Sequence, residues 1–329
     1  MLRWISKSGT FIQFTIFLLI LVILWMPAFV NPVLPVQTPA DGPLYTILAT
    51  WLQPFALLTI AIALILVILQ ALILFYVFQA NGFFGRSNFL PAIIILLAYS
   101  WNGSFLTLHA VLPATLFIII ALNSIMKMYG QQAAYQQVFI AAFSIGIASL
   151  FYIPLAYLLL MIWFSLITYR ISSWREYAVS IIGFSLSFIY YLSWLFWNDN
   201  LQKGLAHLSS SLFNLVLPDR LSIINTVWLS VSAFVMVIAT VAVLNIMNDK
   251  LISLRRRSWV LFNFSLTSAI AILLAGWPIL SANYLFVIPL SFFLTGSFTL
   301  IKRPFWFEMI ALAFLLFFIA MRVYLVVII

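Results

Sequence analysis

VFIAAFSIGIASLFYIPLAYLLLMIWFSLITY, residues 138–169, is a run of 32 residues without a single charge. It forms either one strongly tilted helix or two short helices meeting near Pro154, and the choice sets the sidedness of everything that follows. Charge decides between them. If two helices form, an even number of crossings separates Arg3 from Arg170, and 12 of the 15 Lys and Arg residues fall on the side of the N-terminus. Only Lys203 and Arg220 then lie opposite, with Arg322 inside the last apolar run. If one helix forms, the later loops invert and the basic residues divide 6 against 8. Cytoplasmic loops carry the excess of Lys and Arg in polytopic proteins, so the run is expected to break in two.

Composition agrees with a membrane protein. Of 329 residues, 66% are hydrophobic and 6% charged, with mean hydropathy +1.21. A soluble domain has roughly a quarter of its residues charged. The +9 net charge reflects loop bias rather than a nucleic-acid surface. The chain has no cysteine, which excludes disulfides, thiolate metal sites and cysteine nucleophiles. Arg3 and Lys7 precede an apolar run over 11–29 that is followed by Asn31-Pro32 with no small-residue cleavage pattern. It reads as a retained first span rather than a signal peptide.

Apolar runs bounded by charged, Gly, Pro, Asn and Gln residues predict spans at 11–29, 53–79, 89–101, 106–126, 138–152, 154–169, 177–197, 224–245, 259–276, 284–301 and 307–328. The expected fold is one all-α integral membrane domain over 1–329, a polytopic bundle of about eleven spans with a cytoplasmic N-terminus and an extracytoplasmic C-terminus. Two outer loops are expected to carry interfacial helices. In 31–52, Leu44, Tyr45, Leu48 and Trp51, with Phe55 just beyond, follow a proline-rich entrance; in 198–223, Leu201, Leu205, Leu208, Leu212 and Leu215 oppose Gln202, Lys203, Ser209, Ser210 and Asn214. Trp51, Trp101, Trp194, Trp197, Trp277 and Trp306 lie near span ends, as an aromatic belt requires. Small residues Ser144, Gly146, Ala148 and Ser149 suit close helix packing.

Six acids and two histidines leave few groups for ionic chemistry. Metalloprotease, nucleophile-elbow and P-loop motifs are missing from the sequence, as is a carboxylate-rich metal cluster, and neither metal nor cofactor is expected. Asp41 is the only charged residue in 31–52. It is either a general base held at the membrane surface or an N-cap, since Gly42-Pro43 and a helical pattern follow it. His109, near the outer end of its span, is placed to carry protons or bind a phosphate oxygen, or simply to hydrogen-bond a neighbouring helix. Arg322 lies about 15 residues into the last span; it either snorkels outward or points inward toward Asp41, Asp199, Asp219 or a lipid phosphate. Asp219 and Arg220 are adjacent where a loop enters a span, which suits capping. Arg255, Arg256 and Arg257 read as a topology anchor on anionic headgroups.

The stretch 139–151, FIAAFSIGIASLF, followed by Tyr152-Ile-Pro154, an apolar run to Tyr169-Arg170 and then Trp174-Arg175-Glu176-Tyr177, resembles a functionally uncharacterised family of bacterial multi-spanning membrane proteins. It also resembles the central spans of the GT-C glycosyltransferases. That second resemblance implies sugar transfer from a polyprenyl-phosphate donor on the extracytoplasmic side. It implies that Asp41 is the catalytic base, and that His109, Arg220 and Arg322 are substrate-binding residues, with Arg220 or Arg322 on the donor phosphate. The chain departs from that family in having a lone acid in a short first loop and no C-terminal soluble domain.

Three functions are therefore carried forward. The first is a GT-C-like transferase of cell-envelope glycan assembly in the bacterial inner membrane, with membrane lipids and a polyprenyl-phosphate-linked substrate as partners. The second is a transporter or flippase for a lipid-linked substrate. The third is a non-catalytic membrane subunit of an envelope assembly, which a stable protein partner on purification would favour.

Overall fold

The computed structural model describes residues 9–35, 37–38, 40–84, 88–100, 106–171, 173–213, 223–274, 284–300 and 309. The described residues form an all-helical bundle. In chain order its helices are α1 (Thr10–Val30), α2 (Pro43–Leu52), α3 (Ala56–Ala80), α4 (Leu90–Tyr99), α5 (Val111–Lys127), α6 (Tyr135–Phe151), a 3₁₀ turn (Ile153–Leu158), α7 (Leu159–Tyr169), α8 (Trp174–Trp197), α9 (Leu201–Phe213), α10 (Ile223–Met247), α11 (Ile252–Leu274) and α12 (Tyr284–Leu300). Among the described residues, α1, α3 and α8 are long and apolar enough to cross a membrane. Their outer faces expose Phe11, Ile23 and Met26 on α1, Ile65 and Tyr76 on α3, and Ile182 and Trp197 on α8. Exposed apolar rows of that length suit lipid rather than water.

The run 138–169 does break in two. α6 ends at Phe151, Tyr152 is extended with φ −141 and ψ 105, and Pro154 lies in the 3₁₀ turn that follows. Proline lacks the N–H that a continuing helix would need, and it disfavours the α conformation in the residue before it. Tyr152 pairs with Asp41 at one end of the bundle, whereas the Tyr169 ring lies 5.7 Å from that of Tyr129, at the end where α5 stops. α6 and α7 therefore run in opposite directions. At about 1.5 Å per residue α6 is about 25 Å long, close to the thickness of a hydrocarbon core.

Packing in an apolar surrounding relies on close approach rather than on expelling water. The small residues of α6 serve this purpose. A side chain at Gly146 would collide with Ser187 of α8, and one at Gly183 of α8 would sit 3.0 Å from the carbonyl of Phe139. Ser187 donates to the carbonyl of Phe143 across the same seam at 3.1 Å. Elsewhere buried polar side chains tie helices together. Gln70 of α3 donates to the carbonyl of Leu112 at 2.6 Å and accepts from Thr115 at 2.9 Å. Gln13 near the start of α1 accepts from the backbone of Phe89 just before α4, and Trp25 near its end donates to Ser100 just after α4. α1 and the short, buried α4 therefore run side by side in the same direction. α12 is buried along nearly its whole length, from Tyr284 to Phe298.

Several boundaries differ from the sequence expectation for local reasons. α5 starts at Val111, not 106, because 106–110 form bends and a turn, and the carbonyl of Leu108 accepts from the Tyr45 hydroxyl. α11 starts at Ile252, seven residues before the expected 259, so Arg255, Arg256 and Arg257 are helical rather than loop residues. α9 confirms a helix after 200, although Leu205 is 45% exposed while Gly204 packs against Leu195 of α8. The expected span 307–328 lies outside the described residues.

Candidate functional site

Just before α2, Thr38 and Asp41 bond to each other and Ala40, Asp41 and Gly42 dock against the end of α6. The Asp41 carboxylate accepts from the Thr38 backbone N–H at 2.6 Å and from the Thr38 hydroxyl at 2.7 Å. The Asp41 backbone N–H donates to the carbonyl of Thr38 at 3.0 Å. On the far side, Gly42 N–H donates to the carbonyl of Phe151 at 2.7 Å and Ile153 N–H to that of Ala40 at 3.2 Å. These two bonds flank an isolated antiparallel bridge between Asp41 and Tyr152. Gly42 is required there, since a Cβ would overlap the carbonyl of Leu150. The break at Tyr152 frees backbone groups at the end of α6, and the 40–42 segment takes them up.

Asp41 does not cap α2. The N-cap is Gly42, with no side-chain cap bond, and Pro43 opens the helix in the first-turn position that suits it. The carboxylate faces back toward Thr38. Asp41 is 2% exposed, and burial pushes its carboxyl up from 3.8 to about 6 against the opposing pull of the two Thr38 bonds. At neutral pH it is largely ionised and of useful basicity. A carboxylate offers about four lone-pair sites. Thr38 occupies two.

Four tyrosines and a histidine surround this end. Tyr45, one turn into α2, donates to the carbonyl of Leu108 at 2.9 Å. The next residue is His109, 7% exposed, whose ring stacks on Tyr284 with centroids 4.5 Å apart. Tyr284 donates to the carbonyl of Tyr99 at 3.3 Å and packs its ring 4.9 Å from that of Tyr99. Tyr152 is fully buried, and its hydroxyl has no hydrogen-bond partner among the described residues. Burial pushes the Tyr45 phenol up, and the nearby Asp41 charge raises it further.

Of the four site residues expected from sequence, Asp41 and His109 are brought to the same end of the bundle, with Tyr45 as the link between their segments. Arg220 and Arg322 lie outside the described residues, as does Asp219. Tyr45, Tyr152 and Thr38 were not singled out by sequence. Thr38 precedes Asp41 by three residues, a spacing at which short polar side chains bond locally, and Tyr152 sits two residues before the proline that ends α6. Among the described residues no group of three His, Asp or Glu side chains is placed to hold a metal ion. No family model, curated protein or solved structure matches this chain.

Proposed function

We propose that the chain is a multi-pass protein of the bacterial inner membrane, crossing about eleven times with its N-terminus in the cytoplasm, and that it transfers a sugar from a polyprenyl-phosphate donor at the extracytoplasmic face. The observation that carries this is Asp41. It is an ionisable group in a loop pinned to the α6 end, raised toward neutral pH by burial, and it is followed directly by the short helix α2. In the proposed reaction Asp41 takes the proton from an acceptor hydroxyl as that oxygen bonds to the anomeric carbon. The anomeric C–O bond to phosphate breaks, and polyprenyl phosphate leaves with the electron pair. A single base with a value near the working pH suffices for such a step. The resemblance to the GT-C family assigns Arg220 or Arg322 to the leaving phosphate.

One observation favours a second reading. Both Asp41 oxygens are engaged by Thr38 within a tightly packed loop, which equally suits a carboxylate that only staples a non-catalytic membrane subunit. The two are separated by Asp41→Asn. A catalytic base is lost in this variant while the fold survives, whereas a staple loses only stability. Consumption of polyprenyl-phosphate-linked hexose donors by the purified protein, with the unfolding temperature recorded alongside, distinguishes them.

A further inference from the structure

At the end of the bundle remote from Asp41, three helix ends meet two arginines. Arg257 of α11 donates through Nη1 to the carbonyl of Asn81, which follows the last residue of α3, at 3.3 Å. Arg256 donates through Nη1 to the carbonyl of Tyr169, the last residue of α7, also at 3.3 Å. The Arg257 guanidinium lies 5.7 Å above the ring of Tyr129, just beyond α5, and that ring is 5.7 Å from Tyr169. Among the described residues both acceptors are neutral carbonyls rather than carboxylates.

Two donors at this junction remain unused. The Arg257 Nε–H and the Tyr169 hydroxyl are buried and have no partner among the described residues. Tyr169 is 6% exposed. A buried donor left without an acceptor costs about 1–3 kcal/mol. The electrostatic balance is also incomplete. Two guanidinium groups bring two positive charges, and the C-terminal ends of α3, α5 and α7 offset these by about half a charge each, leaving a positive excess. A half-buried site with a positive excess, a forked guanidinium edge and a hydroxyl suits an oxyanion with several acceptor oxygens.

We propose that the Arg256–Arg257–Tyr129–Tyr169 junction binds a phosphoryl group, either the headgroup of an anionic phospholipid or free phosphate. The site is separate from Asp41 and stands whether or not the transferase proposal holds. Its role is to lock the ends of α3, α7 and α11 together when the anion is bound. Arg255 is one residue away on the same helix and belongs to the same run of positive charge, so it serves as the control for nonspecific attraction.

The test is native mass spectrometry of the full chain, stripped of lipid and returned to micelles containing phosphatidylglycerol or phosphatidylcholine, with and without inorganic phosphate. Phosphatidylglycerol should be retained and phosphatidylcholine not. Retention should fall roughly tenfold or more in Arg257→Gln and several-fold in Tyr169→Phe, as the loss of charge-assisted and neutral hydrogen bonds implies, and stay near wild type in Arg255→Gln. Displacement by inorganic phosphate identifies free phosphate as a ligand, and resistance to it identifies the headgroup; either supports the site. Tyr169→Phe keeps the ring against Tyr129 and so remains readable if Arg257→Gln misfolds. Equal retention of the two lipids, unchanged retention in Tyr169→Phe and Arg257→Gln, or an equal loss in Arg255→Gln would overturn the proposal.

Discussion

Asp41 and Tyr152 face each other across an isolated antiparallel bridge that fastens the loop before α2 to the end of α6. The bridge depends on Gly42, whose Cα lies against the carbonyl of Leu150 with no room for a side chain. Gly42→Ala should therefore push the loop off α6 and destabilise the protein by about 1–3 kcal/mol, the usual cost of overpacking. Thermal unfolding in detergent reads this directly. An unchanged midpoint would mean that the loop is not held as described.

The buried Asp41 carboxyl makes stability depend on pH with a definite sign. Raised from 3.8 to about 6 by burial, it holds its proton more tightly in the fold than in the unfolded chain. Its contribution is complete below about pH 4 and is lost as pH rises through about 6. The difference is about 3 kcal/mol by linkage. Unfolding midpoints of wild type and Asp41→Asn, compared at intervals across that window, should converge or cross in the direction that disfavours wild type at higher pH. Parallel curves would show that Asp41 titrates at its ordinary value.

The seam between α6 and α8 is another point of small tolerance. Gly146 lies against Ser187 and 2.9 Å, measured from a Cβ built there, from the carbonyl of Phe184. Gly146→Val should separate the two helices and lower stability by about 1–3 kcal/mol. Adding Ser187→Ala should restore part of the loss, because the second change removes the Oγ that the new side chain meets. Equal midpoints for wild type and Gly146→Val would place the seam elsewhere.

The bundle's helices were largely legible in the sequence because apolar runs bounded by polar punctuation are a strong signal. α1, α3 and α8 fall within three residues of the expected limits. The break at Tyr152 was legible from Pro154 together with the distribution of Arg and Lys. Less visible was anything that depends on where a backbone group finds its partner. The 106–110 segment reads as helix by hydropathy, yet the Leu108 carbonyl is taken by Tyr45. Arg255, Arg256 and Arg257 read as a loop, yet two of them reach the carbonyls of other helices from within α11. Asp41 was found as a charge in an uncharged loop; that it turns toward Thr38 instead of capping α2 follows from tertiary pairing with α6, which spacing alone does not encode.

Gln70 is a buried polar tie with a predictable cost of removal. It donates to the Leu112 carbonyl and accepts from Thr115, but the Thr115 hydroxyl can turn to the same carbonyl, 2.7 Å away. Gln70→Leu leaves no stranded donor and should cost only about 1 kcal/mol. Adding Thr115→Val should cost about 1–3 kcal/mol more, because Thr115 is also the hydrogen-bond partner of the buried Tyr99 hydroxyl. A loss several times larger in the single variant, seen in detergent unfolding, would mean that Gln70 holds a group besides these two.

The most direct measurement on the proposed function is donor consumption by purified wild type and Asp41→Asn in proteoliposomes containing polyprenyl-phosphate-linked hexoses. Wild type should release polyprenyl phosphate at a rate that rises with pH around about 6, as Asp41 ionises. Asp41→Asn, with an unfolding midpoint showing that it is folded, should fall to background. Release by the folded Asn variant at the wild-type rate, or none from folded wild type with any donor, would contradict Asp41 as the catalytic base.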